Sequence, residues 1–397
     1  MPLHDPAHAF VPYPDAPLPH APSGPLAGLS FAVKDLFDVA GYPTGGGNPI
    51  VLALSGIKAQ TAPTVQRLLD AGARFVGKTV TDELAFSMNG NNAHFGAPIN
   101  GTAPARISGG SSSGSASAVS NGLCEFALGT DTGGSVRAPA SHCGLYGLRP
   151  THGRISLQGA LDLAPSLDTC GFFARDSHCF AQVAEQLLGT DSAPLPALPR
   201  LRLPTEVWAL LAPEVAAVAQ PGAAHVQGVI GTAAPVAVVL ESFEAMYWHF
   251  RHIQGREAWL SDGPLIERYA PPLGPGVAER FAWSRQVSDA QVSAAREFRS
   301  RFRAHLAALL GHDGVLLMPT MPDIAPLRSA PESTLEDYRN KAINMLCIAG
   351  LSGFPQLSLP LLQRDGAPLG LSLLGPAGSD ASLVALAQRL AQAGLGR

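Results

Sequence analysis

Residues 109–139 read GGSSSGSASAVSNGLCEFALGTDTGGSVRAP. The stretch opens as a Gly/Ser loop and becomes a run of small residues. That run fits a helix lying close on a sheet, because small side chains let backbones approach. CEFALGTD then reads as a strand, and TGGSVRAP as a tight turn into the next helix. Loop, helix, strand and helix in alternation argue for an α/β class. Two Gly-Gly-Ser turns stand 24 residues apart, Gly109-Gly110-Ser111 and Gly133-Gly134-Ser135. Glycines there permit backbone angles closed to other residues. Consecutive N–H groups can therefore point at one spot, as an oxyanion hole requires.

Working outward, Leu29–Val33 reads as a buried strand broken at Lys34-Asp35, 61–71 as a helix stopped by Gly72, and 74–77 as the next strand. Residues 87–106 form a long polar loop. The middle, about 180–310, reads as helices, and its aromatics Phe243, Tyr247, Trp248 and Trp259 read as packing rather than as a pocket. Strands return at 314–319, 357–360 and 369–374, with a turn at Asp365-Gly366 and a helix over 381–391. Strands from both ends with helices between predict one large domain. Its central mixed β-sheet is covered by helices on both faces. Residues 1–27, rich in Pro, His and Ala, read as an extended lead-in to a domain over 28–397.

Composition narrows the function classes. The 397 residues are 46% hydrophobic and 15% charged, with 27 basic and 31 acidic residues for a net charge of −4. That balance argues against nucleic-acid binding. Five scattered cysteines without a CxxC argue against a disulfide framework or a structural zinc. Neither a signal peptide nor an apolar run of about 18 residues is visible, so a cytoplasmic setting without membrane insertion is expected.

Three motifs are set aside. Gly72–Thr79 matches GxxxxGK[ST], but a helix precedes it and Arg-Phe-Val is strand-like, the reverse of a phosphate loop. Gly110–Gly114 matches the GxSxG elbow around Ser112, in a Ser/Gly run where chance matches are easy, and no histidine follows His312. His249 and His252 form HxxH without a zincin's glutamate, so no metal is expected. A serine nucleophile still needs a base. Among nearby groups, His142, His152, Lys34 and Lys78 all qualify, and the residues alone do not rank them. The chain has only four lysines: Lys34, Lys58, Lys78 and Lys341.

These segments together resemble the amidase signature family. The resemblance covers essentially the whole chain after residue 25 or so. It rests on Phe31–Asp35 (FAVKD), Gly109–Ala116 (GGSSSGSA), Gly129–Ala140 (GTDTGGSVRAPA), Cys143–Pro150 (CGLYGLRP) and Leu316–Thr320 (LLMPT). It implies a Ser–cis-Ser–Lys triad without a metal or organic cofactor. Lys34 would be the base, Ser111 the bridging serine on a cis peptide and Ser135 the nucleophile. The backbone N–H groups of Asp131, Thr132, Gly133 and Gly134 would form the oxyanion hole, and Met88, Asn89 and Gly110 would contact substrate. Lysine serves as a base near neutral pH only if buried and neutral, and a hydroxyl that both donates and accepts can relay its proton. Arg137 and Asp131 are expected to pair and hold the nucleophile turn.

Within the family, SMNGNNAHFG (87–96), SHCGLYGLRPTHGRIS (141–156), FDVAG (37–41) and Gly47-Asn48-Pro49 are most similar to plant-type indole-3-acetamide hydrolases. The implied substrate is a small aryl- or alkyl-acetamide, with ammonia released. Alternatives of the same family are an amidotransferase A-type subunit and an esterase or aryl acylamidase. A catalytically dead binding protein is the alternative from another class. Assembly is open, with a homodimer as one option.

Overall fold

The computed structural model describes residues 4–394. Ten strands form one sheet: β1 (Ser30–Lys34), β2 (Arg74–Thr79), β3 (Phe126–Asp131), β4 (Tyr146–Arg149), β5 (Thr169–Ala174), β6 (Arg200–Pro204), β7 (Ala234–Val236), β8 (Gly314–Pro319), β9 (Gln356–Arg364) and β10 (Ala367–Leu374). Their spatial order is β2-β1-β3-β5-β4-β9-β10-β8-β6-β7. β1 runs parallel to β2 and β3, and β6 runs parallel to β7 and β8. β3–β5, β5–β4, β4–β9, β9–β10 and β10–β8 are antiparallel. The sheet is therefore mixed, as expected, and joins chain ends far apart in sequence.

Most central strands are buried on both faces, so they read as nearly continuous apolar runs rather than alternating ones. Alternation appears in where the side chains go. Along β8, Val315 and Leu317 enter one hydrophobic cluster, and Leu316 and Met318 enter another. The first cluster is covered by helices 63–70, 177–188, 213–230 and 380–392; the second by 243–269, 277–284, 289–310 and 332–352. Helices thus cover both faces of a single α/β domain.

The middle region departs from the all-helical expectation by two short strands. β6 and β7 are five and three residues long, at the far edge of the sheet, with Pro204 and Pro235 in them. β7 is the edge strand, where one side of the ladder is unpaired and Pro235 is tolerated, and Pro204 closes β6 beyond its pairing with β8. Runs this short leave little periodicity to read. Part of the N-terminal lead-in, 1–3, lies outside the described residues. From residue 4 on, the segment is largely extended and anchored: Val11 N donates to Lys78 O at 2.9 Å and Tyr13 Oη to Asp35 Oδ2 at 2.7 Å. Among the described residues, no helix is long and apolar enough to cross a membrane.

Candidate active site

The small-residue helix 113–120 packs against β1–β3, β5 and the helix 137–143, and seven of its eight residues are buried. A Cβ at Gly114 would stand 2.3 Å from Ala9 O, so only glycine fits that approach. This packing fixes the loop before the helix, where the Gly110–Ser111 peptide bond is cis. Ser111 O accepts from Asp82 N at 3.0 Å and Thr81 Oγ1 at 3.1 Å. Ser112, the serine of the apparent elbow, staples this loop to β3: its Oγ donates to Thr130 O (3.1 Å) and accepts from Thr130 N (3.2 Å).

β1 delivers Lys34 to the same place. Lys34 Nζ donates to Ser111 Oγ at 2.7 Å and to Thr130 Oγ1 at 2.8 Å, and the side chain is fully buried. Burial pulls its pKa down to about 7, against the opposing pull of the Asp82, Asp131 and Asp168 carboxylates. The other candidate bases are engaged elsewhere. Lys78 Nζ pairs with Asp35 Oδ1 at 2.7 Å and donates to Pro43 O and Thr44 Oγ1. His142 Nε2 meets Tyr338 Oη at 2.9 Å, and burial with the Arg106 charge pulls its pKa down to about 3. His152 Nε2 meets Pro165 O.

The second Gly-Gly-Ser turn follows β3 and is organised by Asp131. Its Oδ1 accepts from Gly134 N (2.9 Å), Arg137 Nη2 (2.8 Å) and Arg149 Nη1 (2.9 Å). Its Oδ2 accepts from Val136 N (3.0 Å), Arg137 N (3.2 Å) and Arg137 Nε (3.0 Å). Burial alone would raise this carboxyl, but the Arg137 and Arg149 guanidiniums hold it well below the ordinary value. The expected Arg137 pair is present; Arg149, on β4, is a partner that the sequence did not reveal.

Ser135 is buried, and its carbonyl accepts from Ser112 N at 3.3 Å, which sets the two Gly-Gly-Ser turns side by side. Its hydroxyl makes no hydrogen bond among the described residues. Of the four expected oxyanion groups, Gly134 N–H is spent on Asp131, so it does not face a ligand here. Asp131 itself closes β3 and acts through its carboxylate, and the Thr132 hydroxyl donates to Asp168 Oδ1 at 2.5 Å. The N–H groups of Thr132, Gly133 and Ser135 have no partner among the described residues and are the donors left at the turn.

A narrow cleft opens on Ser135, lined also by Phe86, Met88, Gly133, Phe250, Gln254 and Arg339. Met88 thus reaches the cleft. Asn89 instead lines a neighbouring pocket with Glu83 and Gly274. Gly110 lines neither of these two; a Cβ there would overlap the Asp82 carboxylate, at 2.2 Å from Oδ2. Of the middle-region aromatics, Phe243, Tyr247, Trp248 and Trp259 lie outside this cleft lining, and Trp248 is 42% exposed. Thr130, Asp82, Phe250, Gln254 and Arg339 are site residues that the sequence reading missed. A larger cavity, about 760 Å³, lies away from the serines between the N-terminal segment and β2. The five cysteines are buried and unpaired, and no group of three or more metal-ligating side chains occurs among the described residues. His249 stacks on Phe298 at 4.3 Å instead.

Buried lysine, bridging hydroxyl, free serine hydroxyl and unpartnered N–H groups together suit acyl transfer through a serine. Comparison with known proteins points the same way. The Amidase family profile matches residues 13–209 and 269–384. "Amidase 1" of Arabidopsis thaliana is 38% identical over 92% of this chain and 93% of its own length. "Amidase 1" of Oryza sativa subsp. japonica is 36% identical over 94% of this chain and 93% of its own. A solved structure titled "Crystal structure of amidase" superposes with a TM-score of 0.84 at 32% identity, covering 94% of this chain and 86% of that one. The chain belongs to the Amidase family, and is a hydrolase acting on amide C–N bonds.

Proposed function

We propose that the chain hydrolyses a small carboxamide to its carboxylate and ammonia through an acyl-enzyme on Ser135. The observation that carries this reading is the fully buried 2.7 Å contact of Lys34 Nζ with Ser111 Oγ, beside the unpartnered Ser135 hydroxyl. Neutral Lys34 takes the Ser111 proton as Ser111 takes that of Ser135. Ser135 Oγ attacks the amide carbonyl, and the N–H groups of Thr132, Gly133 and Ser135 receive the developing oxyanion. The proton returns through Ser111 to the leaving nitrogen, and ammonia departs. Water then cleaves the acyl ester by the same relay. Asp131, Arg137 and Arg149 shape the turn without touching substrate.

The sequence resemblance adds an arylacetamide such as indole-3-acetamide as a candidate substrate, and Phe86 and Phe250 in the cleft lining support an apolar acyl part. Met88 would contact it; Asn89 and Gly110 would act by shaping the loop. The buried, unpaired thiols support a reducing, cytoplasmic setting. Ammonia release from a panel of primary amides tests the reading. Ser135→Ala should abolish turnover with an unchanged circular dichroism spectrum. Near-normal release by that variant would exclude the mechanism.

A further inference from the structure

Helix 332–352 brings Arg339 into the cleft that opens on Ser135, where it is only 4% exposed. Its guanidinium makes no hydrogen bond among the described residues, and its Nε is buried without a partner. The nearest acid is Glu336, with Oε2 3.8 Å from Nη1. Glu336 is already taken: its Oε1 pairs with Arg280 Nη1 at 2.8 Å. Arg251 stands behind the cleft, also buried, with its Nη1–Gln254 Oε1 contact at 3.3 Å as its one hydrogen bond among the described residues. It lies 5.0 Å from the Trp283 ring and 5.9 Å from that of Phe86.

The charges do not balance. Half-buried Glu336 and Tyr247 act in favour of the charged forms of Arg339 and Arg251, while Arg280 repels both. Burial and these two neighbouring guanidiniums pull Arg339 below the ordinary arginine value. Among the described residues, no Asp or Glu lines the cleft. A buried cation whose one ion-pair partner stands 3.8 Å away and is shared with a second guanidinium is poorly compensated, and burying such a charge is costly. Gln254, also in the cleft lining, has an Nε2 with no hydrogen bond among the described residues. A planar guanidinium and an amide N–H₂ with free donors match a carboxylate.

We infer that the substrate carries a second, anionic group: it is the half-amide of a short dicarboxylic acid, its carboxylate held by Arg339 and Gln254 while its amide meets Ser135. The inference rests on Ser135 as the nucleophile, keeps the carboxamide chemistry of that reading and sets a charged acyl group in place of the arylacetamide candidate. Arg251 is a positioning residue that holds Gln254. Hydrolysis breaks the C–N bond, adds water, releases ammonia and leaves the dicarboxylate.

The test compares kcat/KM for malonamate and succinamate with that for their uncharged isosteres, isovaleramide and isohexanamide, by ammonia release. The anions should be preferred by about 10- to 100-fold, the range of one charge-assisted contact. Arg339→Met should lower the anion-to-isostere ratio by about the same factor, chiefly through KM. Succinate should inhibit the wild type competitively, a readout that needs no variant. The inference is overturned if the isosteres are turned over as well as the anions, or if Arg339→Met leaves the ratio unchanged. If neutral amides are hydrolysed and a fluorophosphonate labels Ser135, only the charged-substrate inference fails. If no amide is hydrolysed and Ser135 is not labelled, the Ser135 reading fails and takes this inference with it.

Discussion

Asp131→Asn separates the architecture of the nucleophile turn from its chemistry. The carboxylate is fully buried and accepts from Gly134, Val136 and Arg137 N–H groups and from both the Arg137 and Arg149 guanidiniums. Asparagine keeps the shape but offers one acceptor oxygen instead of two. Whichever way the amide points, three of the six donors face an NH₂, and each orphaned buried donor costs about 1–3 kcal/mol. Both guanidiniums also lose their counter-charge, and breaking a buried pair from one side costs about 3–5 kcal/mol. The expected destabilisation is therefore at least about 3–5 kcal/mol. It is read as a lower urea midpoint at pH 7 with an unchanged denaturant slope. The pH dependence adds a signature. The folded pKa of Asp131 lies below the unfolded value, so its stabilisation is complete above the unfolded carboxyl pKa of about 4 and is lost as pH falls below it. The gap between wild type and variant should therefore narrow below about pH 4. A loss under about 1 kcal/mol at pH 7, typical of an exposed pair, would refute the claim that this carboxylate organises the turn.

Other perturbations divide the site in the same way. With Lys34 near 7, kcat/KM should rise as pH increases through about 7, because the neutral amine is the base; a profile flat from pH 5 to 9 would contradict it. Lys34→Met should lower kcat by at least about 10²–10⁴-fold, the usual worth of general-base catalysis, and thermal melting should show no loss of stability, because a buried amine has been removed. Lys78→Met strands the buried Asp35 carboxylate and should cost about 3–5 kcal/mol in chemical denaturation. Gly134→Ala places a Cβ 2.4 Å from Leu346 Cδ1 at a φ of +126°, so turnover should fall sharply; wild-type kcat/KM would show that the turn tolerates a side chain.

Much of this was legible in the residues. The strand ending at Lys34, the small-residue helix and the strand ending at Asp131 were placed by apolar runs and glycine punctuation within a residue or two. The choice of base was not legible from local pattern, because Lys34 and Lys78 both follow apolar strands. What separates them is the partner: a serine hydroxyl for one, a buried carboxylate for the other. The fate of the Gly134 N–H was equally hidden, since Asp131 reaches it only once the turn closes. The cleft escaped prediction for a different reason. Phe250, Gln254 and Arg339 lie more than 100 residues from Ser135 on helices buried on several sides, so apolar periodicity marks no single face.

The central claim is that Ser135, not its neighbours in a serine-rich loop, forms the covalent intermediate. Peptide mapping of the enzyme after reaction with a fluorophosphonate tests it most directly. A single adduct on Ser135, absent from Ser135→Ala, is the predicted result; an adduct on Ser112, which here staples the loop to β3, would contradict it.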